Sequence, residues 1–372
     1  MHSRTFARLT AVALTAALAG AGLAACGGGD DNGGGSTTGG GGTSGTVALL
    51  LPENKTTRYE AQDRPLYEQN LKALCPDCKL IYSNAEQDAA KQQTQAEAAI
   101  TNGADVLVLD AVDSKAAASI VTRAKQSGIG VIAYDRPVLN SDVDYFISFD
   151  NRKVGELQGT ALVDKLTADK AKGSIVMING SPTDPNAGEF KAGAHSVIDE
   201  SDYKVAKEYD TPDWSPDKAQ TEMEQAISAL GNDGFVGVYA ANDGTAGGAI
   251  AAMRSNGINS GSRPTTGQDA ELAGIQRIVA GQQYMTVYKA VKQEAEGAAK
   301  LTVALLNGDE SSDLVNEQVD NGQKDVPSVI LQPVTVTQDN IAETVVKDDY
   351  WTVQQICTPA YQAACEKLGL TG

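Results

Sequence analysis

Short, unbroken apolar runs, each separated from the next by a segment long enough for a helix, set the tightest limit on what this chain can fold into. Val47–Leu51, Lys79–Tyr82, Asp105–Leu109 (with VLVL at its heart), Val131–Ala133 and Tyr145–Phe149 read as strands. Between them Arg58–Leu74, Ala89–Thr101 and Ser114–Gln126 read as helices, and Gly103 and Gly128 give C-terminal stop signals to the second and third. Strands that are apolar along their whole length are buried on both faces, which is the condition of a parallel sheet covered by helices. The pattern starts again after Asp150-Asn151. Strands are predicted at Ser174–Ile178, Lys204–Tyr209, Gly234–Ala240, Thr265–Thr266, Tyr284–Val287 and Val329–Leu331. The intervening helices run from Asn151 to Leu166 and over Asn186–Ile198, Pro216–Leu230, Ala246–Ser255, Leu272–Ala280 and Lys289–Leu306. The chain of 372 residues is long enough for two domains, and the reading is an α/β protein of two successive open sheets.

The first residues have a different character. Arg4 and Arg8 precede an Ala-rich apolar run, Leu9–Gly22, and Leu23-Ala24-Ala25-Cys26 fits a lipoprotein cleavage box. Residues 1–25 are therefore expected to be a signal peptide and Cys26 the lipidation site. Gly27–Gly45 is almost entirely Gly, Ser, Thr, Asp and Asn, a flexible tether with a reach of roughly 25 Å. The formal charge is −18, and loss of the leader with its two arginines makes it −20. That balance disfavours nucleic acid and anionic membrane surfaces as partners. The remaining cysteines, Cys75, Cys78, Cys357 and Cys365, should pair in an exported protein. The local pairs Cys75–Cys78 and Cys357–Cys365 are favoured among the three arrangements, with a redox-active CPDC as the alternative.

In an open α/β sheet, ligands bind beyond the carboxyl ends of the strands. Here those ends carry Glu53, Asp110, Tyr134-Asp135-Arg136, Asn179, Asn242-Asp243, Gln268-Asp269 and Lys289. Carboxylates, a guanidinium fork and carboxamides complement the adjacent hydroxyls of a sugar ring. The ring's C–H face calls for an aromatic, for which Tyr59 and Trp214 are candidates. Asp135 and Asp269 offer an alternative, a carboxylate pair for glycoside chemistry. His195 is the one histidine left after the leader is removed, it lies within a helical pattern, and it takes no role. No metal site and no cofactor are expected.

The motifs at these tips resemble those of the D-xylose-binding proteins of bacterial ABC sugar importers. They are YDR at 134–136 followed by DVDYFISFDNRKVGELQ, NGSPTDPNA (179–187), AANDGTAGGAI (240–250), GQDAELAGIQRIVAGQQYMTVYK (267–289) and NGQKDVPS (321–328). LPENKTTRYE looks more like the related multi-sugar-binding proteins. The resemblance spans residues 46 to about 347. The leader, the linker and the cysteine pairs fall outside it and resemble those of an actinobacterial lipoprotein.

This resemblance implies a type I periplasmic binding protein, with two Rossmann-like lobes of mainly parallel sheet joined by a three-crossover hinge. The lobes would comprise 46–149 with 289–330, and 150–288 with 331–372. It further implies a ring of sugar contacts. Arg58 and Tyr59 would follow the first strand, and Asp135 and Arg136 would form the YDR tip. Asn186 and Trp214 would face them from the second lobe, with Asn242, Asp269 and Lys289 at further strand tips. The family carries Trp where this chain has Tyr59, and Pro185 replaces an Asn. The implied protein is a monomer, held at the outer face of the membrane, that delivers an aldose, D-xylose first, to an ABC permease. A sugar sensor serving a receptor, and a secreted glycoside-processing enzyme, are the competing functions.

Overall fold

The computed structural model describes residues 43–309 and 313–371. The predicted signal peptide, Cys26 and the linker up to residue 42 lie outside the described residues.

The first half alternates strand and helix as β1 (Thr46–Leu51), α1 (Arg64–Leu74), β2 (Lys79–Asn84), α2 (Ala89–Thr101), β3 (Val106–Leu109), α3 (Ala118–Gln126), β4 (Gly130–Tyr134) and β5 (Tyr145–Phe149). The second runs α4 (Asn151–Ala168), β6 (Ser174–Asn179), α5 (Pro185–Ile198), β7 (Lys204–Asp210), α6 (Pro216–Leu230), β8 (Gly237–Ala240), α7 (Asp243–Ser255) and α8 (Leu272–Val279). The chain then closes with β9 (Thr286–Tyr288), α9 (Val291–Asn307), β10 (Glu317–Asp320), β11 (Asp325–Leu331), β12 (Val334–Val336) and the short helices α10 (Val353–Ile356) and α11 (Gln362–Lys367).

One sheet has seven strands in the order β10-β11-β5-β4-β3-β1-β2. All its pairings are parallel except β10 with β11 at the edge. A second sheet orders β7-β6-β8, all parallel, and β12 pairs antiparallel with β9. Period-two packing explains the unbroken apolar runs. Val47, Leu49 and Leu51 enter a core beneath α1 and α9, whereas Ala48 and Leu50 enter the opposite core beneath α2 and α3. In β6, Ile175 and Met177 face one core, and Val176 and Ile178 face the other. The chain leaves the larger sheet after Phe149 and returns through α9, which packs on that sheet. It leaves again after Leu331, when β12 joins β9.

Several elements differ from the sequence reading. The segment predicted as a helix from Arg58 begins as a wide π-type turn, Tyr59–Asp63, and becomes α-helical at Arg64. Pro65 has no N–H to contribute to the ladder there. The predicted strand at Thr265–Thr266 reduces to one bridge, Val238 with Thr265. β10 and β12 form where no strand is predicted, because both are short edge elements without an apolar run. The cysteines join as Cys75–Cys78 and Cys357–Cys365, and the second bridge staples a tail core built on Tyr350, Trp351 and Ile356.

Candidate functional site

The strand ends of both sheets converge on one cavity of about 250 Å³. Wider grooves occur, such as one of about 730 Å³ beside Arg263 and Gln338, but its polar groups are partly solvated. The buried charge collects at the smaller cavity.

From the larger sheet, the loop after β1 is folded by Glu53, whose buried carboxylate accepts from the Thr56 N–H at 3.1 Å. This sets Tyr59 on the cavity wall, with its hydroxyl donating to Asp135 Oδ2 at 2.8 Å. Arg58 and Arg136 lie against the Tyr59 ring, at 5.3 and 5.6 Å from its centroid. Asp135 follows β4 at φ 55°, a left-handed conformation that turns the strand end into the cavity. The Asp135 N–H donates to Ile147 O at 2.9 Å. Its carbonyl accepts from Ser148 Oγ at 2.7 Å and from Asn186 Nδ2 at 2.8 Å.

The opposite wall comes from the smaller sheet. Asp184 caps α5 by accepting from the Asn186 N–H at 2.9 Å, and Pro185 occupies the first helical turn, where its missing donor does no harm. Asn186 and Phe190 lie four residues apart and share a face of α5. Trp214 is buried at φ 52° and lies so close to Gly180 that a Cβ there would sit 2.0 Å from the indole. The indole N–H donates to Asp184 Oδ2 at 3.1 Å, and Phe190 meets the ring edge-on at 6.3 Å. Asn242 caps α7, accepting from the Thr245 N–H at 2.8 Å. Asp269 has φ 86°, and its N–H donates to Val287 O.

Of the nine residues predicted to contact ligand, Tyr59, Asp135, Arg136, Asn186, Trp214, Asn242, Asp269 and Lys289 line the cavity. Arg58 does not; it stands behind the wall as the hub of a buried ion cluster. Its guanidinium meets Asp63 at 2.6 Å, Glu294 at 2.7 Å, Asp135 at 3.3 Å and Asp269 at 3.7 Å. Thr56, Asp184, Phe190 and Gln268 also line the cavity and were not among the predicted contacts. Phe190 is legible in retrospect as the residue one helical turn beyond Asn186. Asp184 is legible as the cap before Pro185.

Electrostatics fix most of these groups. Burial opposes the charge of Arg58, but Asp135, Asp63 and Glu294 overcome it and keep the guanidinium ionised well above its ordinary range. Burial also opposes ionisation of Asp135, yet Arg58, Lys289 and Arg136 hold its carboxyl below the usual carboxylate range. Lys289 reaches Asp269 at 3.1 Å and Asp135 at 3.6 Å. Arg136 is flanked by Asp184 at 3.0 Å, Asp110 at 3.5 Å and Glu53 at 3.8 Å. Burial pushes all three of these acids upward, against the pull of Arg136. A general acid needs a proton at working pH. Asp135, held ionised by cations, is suited to orienting a polar ligand and not to donating a proton.

Among the described residues no group of three or more His, Cys, Asp or Glu side chains could hold a metal ion. Two parallel-sheet bodies whose strand ends enclose a polar cavity walled by aromatics define a solute-binding protein of the periplasmic type. The family model described as "Periplasmic binding protein domain" matches residues 47–310, and the chain belongs to that family. It is 39% identical over 308 residues to the D-xylose-binding periplasmic protein of Escherichia coli, covering 82% of this chain and 90% of that protein. It is 33% identical over 329 residues to the multiple sugar-binding periplasmic receptor ChvE of Rhizobium radiobacter, covering 84% and 92%. Among solved structures it is similar to an ABC transporter solute-binding protein from Clostridium phytofermentans with bound β-D-glucose. That match has a TM-score of 0.74 at 30% identity and covers 84% of this chain and 99% of the other. The protein is a binding protein and not an enzyme, which removes the glycoside-processing reading of Asp135 and Asp269.

Proposed function

We propose that this chain captures a monosaccharide, D-xylose first among aldoses, and presents it to an ABC permease. The observation that carries the reading is the cavity itself. Asp135, held ionised by buried cations, and Asp269, paired with Lys289, line the same cavity as the rings of Trp214 and Phe190, a lining suited to ring hydroxyls and to ring C–H groups. Relatives that bind D-xylose and several sugars support the same ligand class.

In this reading the lobes are 46–149 with 289–330 and 150–288 with 331–372. A sugar touching both favours the closed form by its differential affinity for that form. The nine predicted residues act together, with Arg58 holding Asp135 from behind. The protein works as a monomer outside the cell membrane, tethered by lipidated Cys26 after removal of residues 1–25.

A thermal-shift panel of aldoses tests the ligand class. Saturation at 100-fold over Kd should add about 2.7 kcal/mol of stability. D-Xylose is expected to give the largest shift, and no shift with any aldose would refute the reading.

A further inference from the structure

Gln268 precedes Asp269 in the turn that closes the cavity, and it is only 2% exposed. Its Nε2 donates to Asp269 Oδ2 at 3.2 Å. The NH2 end of the amide thus faces the Asp269 carboxylate, which is also paired with Lys289, leaving the carbonyl oxygen for another partner. That Oε1 is buried and has no hydrogen-bond partner among the described residues. A buried carbonyl left in this state is unfavourable, and its presence in a polar cavity indicates that something else supplies the donor.

Most other acceptors at the cavity are already engaged, and Asp269 Oδ1, which has no hydrogen bond, is ion-paired with Lys289 at 3.1 Å. Asp135 Oδ2 receives the Tyr59 hydroxyl and Oδ1 receives Arg58. Asp184 receives the Asn186 N–H and the Trp214 indole. Asn242 Oδ1 is used in capping α7. The cavity is thus supplied with cationic donors, while Gln268 Oε1 stands as an uncommitted neutral acceptor. A ring hydroxyl that accepts from Lys289 or Arg136 must still place its own proton, and a neutral acceptor takes it.

We propose that Gln268 is a specificity-determining residue, with its Oε1 accepting a hydrogen bond from one ring hydroxyl of the bound sugar. This assignment rests on reading the cavity as a monosaccharide site. A site that hydrogen-bonds a hydroxyl rejects the analogue lacking it, because its own buried group is then unpaired. The discrimination should therefore be confined to one position of the ring and should depend on this side chain.

The test is calorimetric titration of the full chain with its tightest-binding aldose and the single-deoxy analogue at each ring position. It is run on wild type, Gln268→Met and Gln268→Glu, coupled as a double-mutant cycle between side chain and hydroxyl. Wild type should lose about 10-fold in affinity for one deoxy analogue in particular. Gln268→Met should bind the parent sugar about 10-fold more weakly and no longer distinguish that analogue from the parent, while its discrimination at other positions stays unchanged. Gln268→Glu keeps an acceptor but loses the donor to Asp269, so it should bind the parent sugar more weakly while keeping the discrimination. If wild type binds aldoses but Gln268→Met weakens every sugar by the same factor, or leaves the hydroxyl profile intact, the assignment is overturned while the sugar reading stands. If wild type binds no aldose, the sugar reading itself fails and takes this assignment with it.

Discussion

Glu271 Oε1 accepts the backbone N–H of Thr57 at 2.9 Å, a bond that ties the turn after Asp269 to the loop after β1. Thr57 immediately precedes Arg58 and Tyr59, so this bond holds the segment that carries both residues against the far wall of the cavity. The Glu271 backbone N–H in turn donates to Asp243 Oδ2 at 2.9 Å, which links the contact to the start of α7.

Removing that acceptor should loosen closure without touching the ligand. Glu271→Ala leaves the Thr57 N–H without its partner, a loss of about 1–2 kcal/mol. The expected outcome in stopped-flow binding is sugar release roughly 5- to 30-fold faster, with Glu271→Gln, which retains an acceptor, close to wild type. An unchanged release rate in Glu271→Ala would show that closure does not depend on this bond.

The same side chain predicts a pH dependence. Burial, reinforced by the Asp243 and Asp269 carboxylates, pushes Glu271 up to about 8 from an ordinary 4.5. A carboxyl raised on folding binds a proton in the native state that the unfolded state has released. Its stabilising contribution is therefore complete below about 4.5 and is lost as pH rises through about 8. Melting curves between pH 5 and 9, chosen as roughly the span of that titration, should decline with pH more steeply in wild type than in Glu271→Gln. Parallel curves would contradict the assignment.

Gly180 and Trp214 form a second dependent pair. A Cβ at position 180 would sit 2.0 Å from the indole, so Gly180→Ala must displace the ring or the strand end beneath it. Sugar affinity should fall about 10-fold or more, as expected for loss of an aromatic face worth about 0.5–1.5 kcal/mol together with strain. The chain has two tryptophans, and Trp351 lies in the tail core, where its indole N–H donates to Ala270 O. A ligand-induced fluorescence change should survive Trp351→Phe and vanish in Trp214→Phe. The reverse pattern would remove Trp214 from the site.

Arg58 is predicted to matter more for folding than the residues that line the cavity. Arg58→Met leaves Asp63, Glu294 and Asp135 buried without their shared cation, and breaking such a cluster costs about 3–5 kcal/mol. Urea denaturation should report that loss, together with weakened sugar binding. Stability within about 1 kcal/mol of wild type would show that these acids protonate and relax instead.

The sheets were readable in the sequence because their strands are buried on both faces, so the apolar runs at Val47–Leu51 and Val106–Leu109 have no polar interruptions to confuse the period. Asp135 and Lys289 were readable as cavity residues because strand ends in such sheets must face the ligand side. What escaped were relations between distant segments. Arg58 looks like a ligand donor beside Tyr59, but Glu294, far along the chain, draws it behind the wall. Gln268 is legible as a polar strand-end residue, but only the packed cavity shows its carbonyl oxygen without a protein partner. Trp214 was legible as a candidate aromatic face for the sugar ring, but its seat on Gly180 needs a left-handed backbone that no local pattern announces.

The measurement that bears most directly on the whole account is a calorimetric titration of D-xylose into the wild-type protein and into Asp269→Ala. Saturable binding of one sugar per chain is expected in wild type and a loss of about 2–4 kcal/mol in Asp269→Ala, since the carboxylate paired with Lys289 is removed from the buried cavity lining. Saturable binding with equal affinity in both proteins would place the sugar somewhere other than this cavity and contradict the account.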